Sequence, residues 1–591
     1  MQHLLHAGTG LAGLAALALA AGVLTLPPAS ADSGVPGLTA AEQRLLATDP
    51  SVEVAHDGTL YAVDEWAPPA GPAPAAESLE PAVAETIAAT ATVDTFALHS
   101  RPGAARTIYL DFDGVSLLPS NSWLLNGLSS LLLGGWSMDL LPLLFSDSEQ
   151  AVIREVWARV AEDFAPWDVD VTTQEPLYGG LFRSSASDPT YGARVAFTSD
   201  SSVQTQLCGG GCGGIAWIGT YDEVVPGELH SPAWVFPASL GQRAKYMADA
   251  AAHEAGHTLG LAHDGTASSG YYAGSTLWGP IMGSPYNAAV TQWSRGDYPG
   301  ASNREDDLAV IGAHGLPQRV DEAGSTPTTA ADLTTLPDEG GVISNPSDSD
   351  WYALTDCGGT LTASVTPAAV GPNLDLVLEL RGPGGAVLAS SAPQSGRTSA
   401  GVPTGLGASL TVPLSGGPYY LAVSGGGSGA GGAGAWSSGG YDGYGSLGRY
   451  QVQMAGCAGG VGVPVPPDSE VVPDQTADAV PTPPATTISR PGAPQRPVVR
   501  AGARGGRLTI GVRWTAPTSS AGPITGYRLE VFRLDAHGRI LARTRTGVLS
   551  GDAAGADVRL PRTGRWAVRL KARNALGWGP YSPRSVAAKA R

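Results

Sequence analysis

Between Ala250 and Gly265 the chain reads AAAHEAGHTLGLAHDG, placing three of its ten histidines and one glutamate within eleven residues. His253 and His257 are four apart, so on a helix their rings share a face and can address one ion. Glu254 lies at the edge of that face, where a carboxylate can hold a water beside a metal. Gly260 lets the backbone leave the helix in a conformation costly for other residues, and that turn brings His263 round as a third ligand. Three neutral imidazoles with one position left open are the donor set of a catalytic zinc rather than of a closed structural site. Such a metal lowers the pKa of its water towards ~7. Glu254 then takes the proton as the oxygen attacks a carbonyl, and returns it to the leaving amine. A chance cluster on an Ala-rich helix would account for HEAGH alone, but not for Gly260 and His263 as well.

The elements that must hold this cluster can be read around it. Residues 244–260 form the helix that carries it. A second helix is expected over 146–164: Ser146 and Glu149 have capping-box spacing, and Val152, Ile153, Val156, Trp157, Val160 and Phe164 fall on one face. RTIYLDFDGV (106–115), WDVDVTTQ, ARVAFTS and GGIAWIGTY read as strands, the first two by their alternation. Strand, helix, strands, helix indicates an α/β layer with a mixed sheet. From about Gly324 the pattern becomes all-β: DWYALTD, GTLTASVTP, LDLVLELRG, GAVLASS, ASLTVPL, PYYLAVSGG and GRYQVQM are short strands between turns, as in a sandwich. Within them GGGSGAGGAGAWSSGGYDGYG reads as a loose hairpin tip. Residues 458–493 form a Pro-rich linker, and a last all-β module follows over 494–591.

The remaining features concern compartment and partners. Leu11–Leu26 is apolar and ends at A-x-A spacing before Asp32, so 1–31 reads as an export signal, although its first residues lack Lys and Arg. Leu128–Phe145 is also apolar, but Gly134, Gly135, Asp139 and Pro142 interrupt it. Residues 32–103 read as a pro-segment or spacer with no strong strand pattern, or as a plain disordered leader. The four cysteines suit an oxidising compartment. Three pairings are open, and Cys208–Cys212 with Cys357–Cys457 keeps each bond inside one module. The formal charge of −18 hides an asymmetry. From Arg490 onward there are 20 basic and 4 acidic residues, a net of +16, which leaves −34 for the rest. A basic tail suits an anionic cell-wall or matrix polymer; a solvated basic face is the plainer reading. Neither all-β module shows a catalytic constellation.

The extended motif His253-Glu254-x-x-His257-x-x-Gly260-x-x-His263-Asp264 resembles that of the metzincin zinc endopeptidases. The resemblance spans roughly 104–320 and implies a secreted enzyme that cuts peptide bonds in proteins. It also implies a methionine turn beneath the metal, which WGPIMGSPY supplies as Met282. Asp264 directly after the third histidine is similar to the reprolysin (adamalysin-like) branch, where an acid there is a buried support, as Gly260 is a structural turn. Tyr286 lies four residues after Met282, not the two of zinc-binding tyrosines elsewhere in the clan, so that role is not carried over. VTQWSRGDY and NREDDLAVI look like the closing region of bacterial secreted members. Clan members lay substrate along an edge strand; Gly214, Ile215, Ala216 and Trp217 are the candidates, an internal strand being the alternative. Some members block the metal with a pro-segment cysteine, but none precedes Cys208. The clan's use of calcium as a second cation points to the alternating Asp111, Asp113, Asp168 and Asp170, for which salt bridging is the plainer role. His230 and His314 read as structural or surface histidines. The module over 325–457 resembles the bacterial pre-peptidase C-terminal domain. The last resembles fibronectin type III, with Trp514, Tyr527 and Leu529 in its core. The rival readings are an adhesin or polymer-binding protein with an inert protease-like domain, and a zinc hydrolase of another bond.

Overall fold

The computed structural model describes residues 37–65, 94–139, 145–177, 179–333, 340–355, 357–428, 436, 439–457 and, with short breaks, 491–590. The export signal expected over 1–31, residues 66–93 and linker residues 458–490 lie outside the described residues.

The first surprise is the leader. Where the sequence suggests little order, the chain forms helix α1 (Ala40–Thr48) and a hairpin of β1 (Val52–Val54) and β2 (Leu60–Glu65). The reason is visible in LYAVDE, whose alternate residues Leu60, Ala62 and Asp64 are buried. That face finds a sheet to pack on only in three dimensions.

The sheet of the histidine-bearing unit comprises β3 (Arg106–Asp111), β4 (Val169–Thr172), β5 (Tyr191–Phe197), β6 (Cys212–Trp217) and β7 (Ala233–Val235). Together with the hairpin its order is β1-β2-β6-β7-β5-β3-β4. Strands β4, β3, β5 and β7 run parallel, while β6 is antiparallel to β7, so the sheet is mixed. Helix α2 (Asp147–Asp163) starts at the Ser146/Glu149 capping box that its sequence predicts. It buries Ile153, Val156 and Val160 in a common core with Ala250, Ala251 and Ala255 of helix α3 (Ala244–Thr258). Small residues on α3 let it lie close to the sheet and bury both histidines it carries.

Two sheets, one of five strands and one of four, build the β unit between Ala331 and Ala455. Their facing residues form one apolar cluster that includes Leu361, Leu376, Leu378 and Leu421. The Cys357–Cys457 bond closes 100 residues of chain, worth ~4–5 kcal/mol in the chain-entropy model. Cys208 bonds Cys212, the first residue of β6. The expected loose tip is corrected in part. Its described end is anchored, with Tyr441 fully buried and donating to Asp375, and the Tyr444 hydroxyl donating to Asp306. Aromatic rings there buried enough apolar surface to outweigh the glycines' entropy. In the last unit Trp514, Tyr527 and Leu529 lie in one buried cluster.

Candidate metal centre

Helix α3 ends at Thr258, and Gly260 follows with φ +88°. A Cβ at Gly260 would stand 2.5 Å from His314 Nε2, so both the turn and its neighbour require glycine. Past this turn His263 swings back over the helix.

The three rings converge through their Nε2 atoms: His253 to His257 is 3.1 Å and His257 to His263 is 3.0 Å. Each Nδ1 is already committed. His253 Nδ1 donates to the carbonyl of Ile281 and His257 Nδ1 to that of Leu261, both at 2.8 Å. A carbonyl only accepts, so these rings carry their protons on Nδ1. His263 Nδ1 donates to Asp49, 2.7 Å away. The Nε2 atoms of His253 and His257 therefore face inward as lone pairs, and that of His263 joins them 2.7 Å from Asp64 Oδ1. Outer partners that orient imidazoles in this way are the usual support of a metal ligand.

A fourth donor comes from the leader. Asp64 Oδ1 is 2.7 Å from His263 Nε2, and Oδ2 is 3.5 Å from the Nε2 of both His253 and His257. All four residues are buried, and their ligand atoms lie within 4.8 Å of one another. Asp64 Oδ2 and Glu254 Oε2 are buried without a hydrogen-bond partner. Three neutral imidazole nitrogens, a carboxylate and orphaned oxygens beside them fit zinc well. Burial would raise the Asp64 carboxyl, but the histidines outweigh it and hold it well below the usual range. Glu254 has no such partner: burial first, then the charge of Asp64, push it well above the usual range.

Glu254 lies over β6, the strand expected from its sequence to face substrate. A Cβ on Gly214 would come 1.7 Å from Glu254 Oε1, so the strand approaches this closely only because Gly214 has no side chain. Met282 is buried below the helix, its Sδ 2.5 Å from where a Cβ on Gly256 would stand. Its carbonyl accepts from the Asp264 amide at 2.8 Å. Asp264 is buried against the Tyr298 hydroxyl; burial and the nearby Glu305 push it up to about 7.

Gly214, Ile215, Ala216 and Trp217 all lie in β6, but its outer side is covered: β2 pairs there antiparallel, Tyr61 with Trp217 through Asp64 with Gly214. Tyr286 packs on Tyr246. His230 bonds Glu223 and Asp57, and His314 bonds Asp222. The aspartates weighed for calcium are engaged in pairs, Asp111 with Arg194, Asp168 with Arg101 and Asp170 with His99. Asp113 donates its amide to Asp111. A second group of carboxylates, Asp321, Asp348 and Asp350, gathers in the β unit instead.

Asp49, Asp64 and Tyr271, whose hydroxyl donates to Asp64 at 2.9 Å, join the centre without any motif in the sequence to mark them. One signal was present: in LYAVDE a carboxylate shares the inward face with Leu60 and Ala62.

Residues 181–264 match the model of the Metallo-peptidase family M12B, Reprolysin-like. No curated protein matches the chain. Among solved structures it is similar to the FN5 domain of Drosophila Lar, at 22% identity over 17% of this chain and 96% of that one, TM-score 0.14. It is likewise similar to the sixth fibronectin type III domain of human fibronectin type III domain containing protein 3, at 23% identity over 18% and 89%, TM-score 0.14. Domains A168–A170 of titin match at 23% identity and TM-score 0.14, over 17% of this chain and 32% of that one. The chain thus spans about a third of the titin segment.

Proposed function

We propose that the chain is a secreted zinc-dependent endopeptidase, acting on peptide bonds in proteins. The observation that carries this reading is the convergence of three Nδ1-anchored imidazoles on one point beside a buried Glu254 carboxylate whose Oε2 has no hydrogen-bond partner.

His253, His257 and His263 would hold the zinc, which when bound acidifies a water and polarises the carbonyl to be attacked. The chain's own residues do the rest. Glu254, one residue after a ligand and over Gly214, accepts the proton of the attacking water at its Oε atoms. Its acid form then passes the proton to the departing amine. Strand β6 would offer backbone amides and carbonyls to an extended substrate once the edge that β2 covers is free. The tight seat of Glu254 on Gly214 fixes the distance between that backbone and the base. Met282 and the bond from Asp264 to its carbonyl floor the site, so the ligand rings cannot sag from their point of convergence. Secretion fits the two disulfides, and no helix among the described residues is long and apolar enough to cross a membrane.

The test is casein hydrolysis by the zinc-loaded chain after limited trypsinolysis of its leader, with and without phenanthroline. Cleavage that needs zinc and disappears in Glu254→Gln supports the assignment. Cleavage that survives either change contradicts it.

A further inference from the structure

The carbonyl that orients His253 belongs to Ile281, and Met282 follows it beneath helix α3, both in the middle of residues 275–292. That segment has little regular structure to fix its shape. Its only strands among the described residues are β8 (Trp278–Pro280) and β9 (Val290–Gln292), three residues each and paired in parallel. A ladder that short is marginal alone and needs cover from elsewhere. Ile281 and Met282 pack into the core of the histidine-bearing unit. The ends of the segment are covered differently. Trp278 and Val290 share a buried cluster with Tyr298 and with Leu406 and Tyr441 of the β unit, and Trp278 meets the Trp436 ring edge-on.

The β unit also reaches the backbone of the segment. Its two-stranded ribbon, β10 (Gly396–Ser399) with β11 (Val402–Thr404), supplies the contacts. Arg397 Nη1 donates to the carbonyls of Thr276 and Asn287, at 3.0 and 2.9 Å, so one guanidinium ties together two points on either side of Met282. The Gly401 amide donates to the Ala288 carbonyl at 2.9 Å. Gly401 has φ +70°, and a Cβ there would stand 2.7 Å from Lys245 Cδ, so the ribbon's turn sits directly on helix α3. Lys245 in turn donates to the Pro285 carbonyl, 3.3 Å away. The Gln292 amide nitrogen donates to the Asn373 carbonyl of the β unit, while its oxygen accepts from Trp278 Nε1.

We propose that this ribbon of the β unit is a positioning element of the metal centre, with Arg397 and Gly401 fixing the segment that presents the Ile281 carbonyl to His253. The inference rests on the reading that the three histidines hold zinc. The carbonyls of Thr276, Pro285, Asn287 and Ala288 are all held from outside the segment, which leaves Ile281 between them little room to shift. A carbonyl in a fixed place keeps the His253 ring turned with Nε2 inward, and outer partners of this kind govern metal affinity. The β unit thus completes the centre rather than trailing behind it. Without it, Trp278 and Val290 would lose their cover, and the Ile281 carbonyl would be held from one side alone.

The experiment uses the full chain in wild type, Arg397→Ala, Arg397→Lys and Gly401→Ala. Zinc affinity is measured by competition with a chromogenic chelator, and the ligand geometry by visible absorption of the cobalt(II)-loaded form. Thermal unfolding of the metal-free chain gives the stability of each protein. Arg397→Ala and Gly401→Ala are expected to bind zinc about tenfold more weakly than wild type, the low end of the loss when an imidazole's outer partner is removed, and to shift the cobalt bands. Arg397→Lys keeps an ammonium able to donate to both carbonyls and should recover most of the affinity. Arg397 is exposed, so replacing it leaves the fold intact. Zinc affinity and cobalt bands equal to wild type in both Arg397→Ala and Gly401→Ala would overturn the proposal. A lower Tm with those two readouts unchanged would reduce the ribbon to plain docking and overturn it equally. Neither metal readout needs turnover. Weakened zinc in the variants, beside a zinc-loaded wild type that cleaves no casein, would uphold the positioning role and count instead against the peptidase reading.

Discussion

At the scale of single residues, the centre is specified by what each atom is prevented from doing. The Nδ1 atoms are engaged by Ile281, Leu261 and Asp49, which turns all three Nε2 atoms inward. Replacing Glu254 with Gln removes the proposed base while preserving shape. Casein turnover is expected to fall by about 10²–10⁴-fold with zinc content unchanged by elemental analysis. Gly214→Ala should lower turnover as well, because its Cβ would collide with Glu254 Oε1, again without loss of zinc. Gly260→Ala should instead cost stability, about 1–3 kcal/mol by denaturant unfolding, as φ +88° and His314 both oppose a side chain. The histidines, Glu254 and Gly260 were legible in the sequence because their geometry is local, set by a helix and one turn. Asp64 was not, because it reaches His263 from 199 residues away, and only strand pairing brings it there.

At the scale of elements, the sequence marks those whose signals are internal to them. Helix α2 is written in its own capping box and apolar stripe, and Ser146→Ala is expected to lower stability by about 0.5–2 kcal/mol, read by denaturant unfolding. Strand β6 is a different case. It was legible as a strand, with a substrate edge and an internal place both open for it, but its occupancy by β2 was hidden, since a six-residue strand shows no partner in its composition. The hairpin's hold should also depend on pH. His230 faces Glu223 and Asp57, with Thr59 and the Trp217 ring beside it. Burial works against its charge, but the two carboxylates outweigh it and raise its pKa. The stabilisation is therefore complete below the unfolded value near 6.5 and is lost as pH rises through the higher folded value. Hydrogen exchange in Leu60–Glu65 should quicken beyond its intrinsic pH dependence over that rise, and His230→Gln should abolish the excess.

At the scale of the whole molecule, the β unit between Ala331 and Ala455 is docked on the back of helix α2 through buried polar groups that no sequence pattern announced. Arg449 pairs with Glu162, and Asn373 donates to Asp163. Burial pushes Asp163 up to about 8, helped by Asp249 and Glu162 and opposed by Asn373 and Arg159. Because its folded pKa lies above the unfolded value of 3.8, its contribution to stability falls as pH rises between the two. Asp163→Asn should therefore raise the Tm at pH 9 relative to wild type, and do so less at pH 5. The last unit touches the same body through Arg528 and Glu175, 2.6 Å apart. All of these contacts join parts whose separate strand patterns were readable, and whose meeting surfaces were not. They hold a scaffold around one point, the histidine cluster. The most direct measurement is casein hydrolysis by trypsin-opened, zinc-loaded chain, wild type beside Glu254→Gln, each shown to carry one zinc. Zinc-dependent cleavage by the wild type and essentially none by the variant is the expected result. Equal cleavage by the two would contradict it.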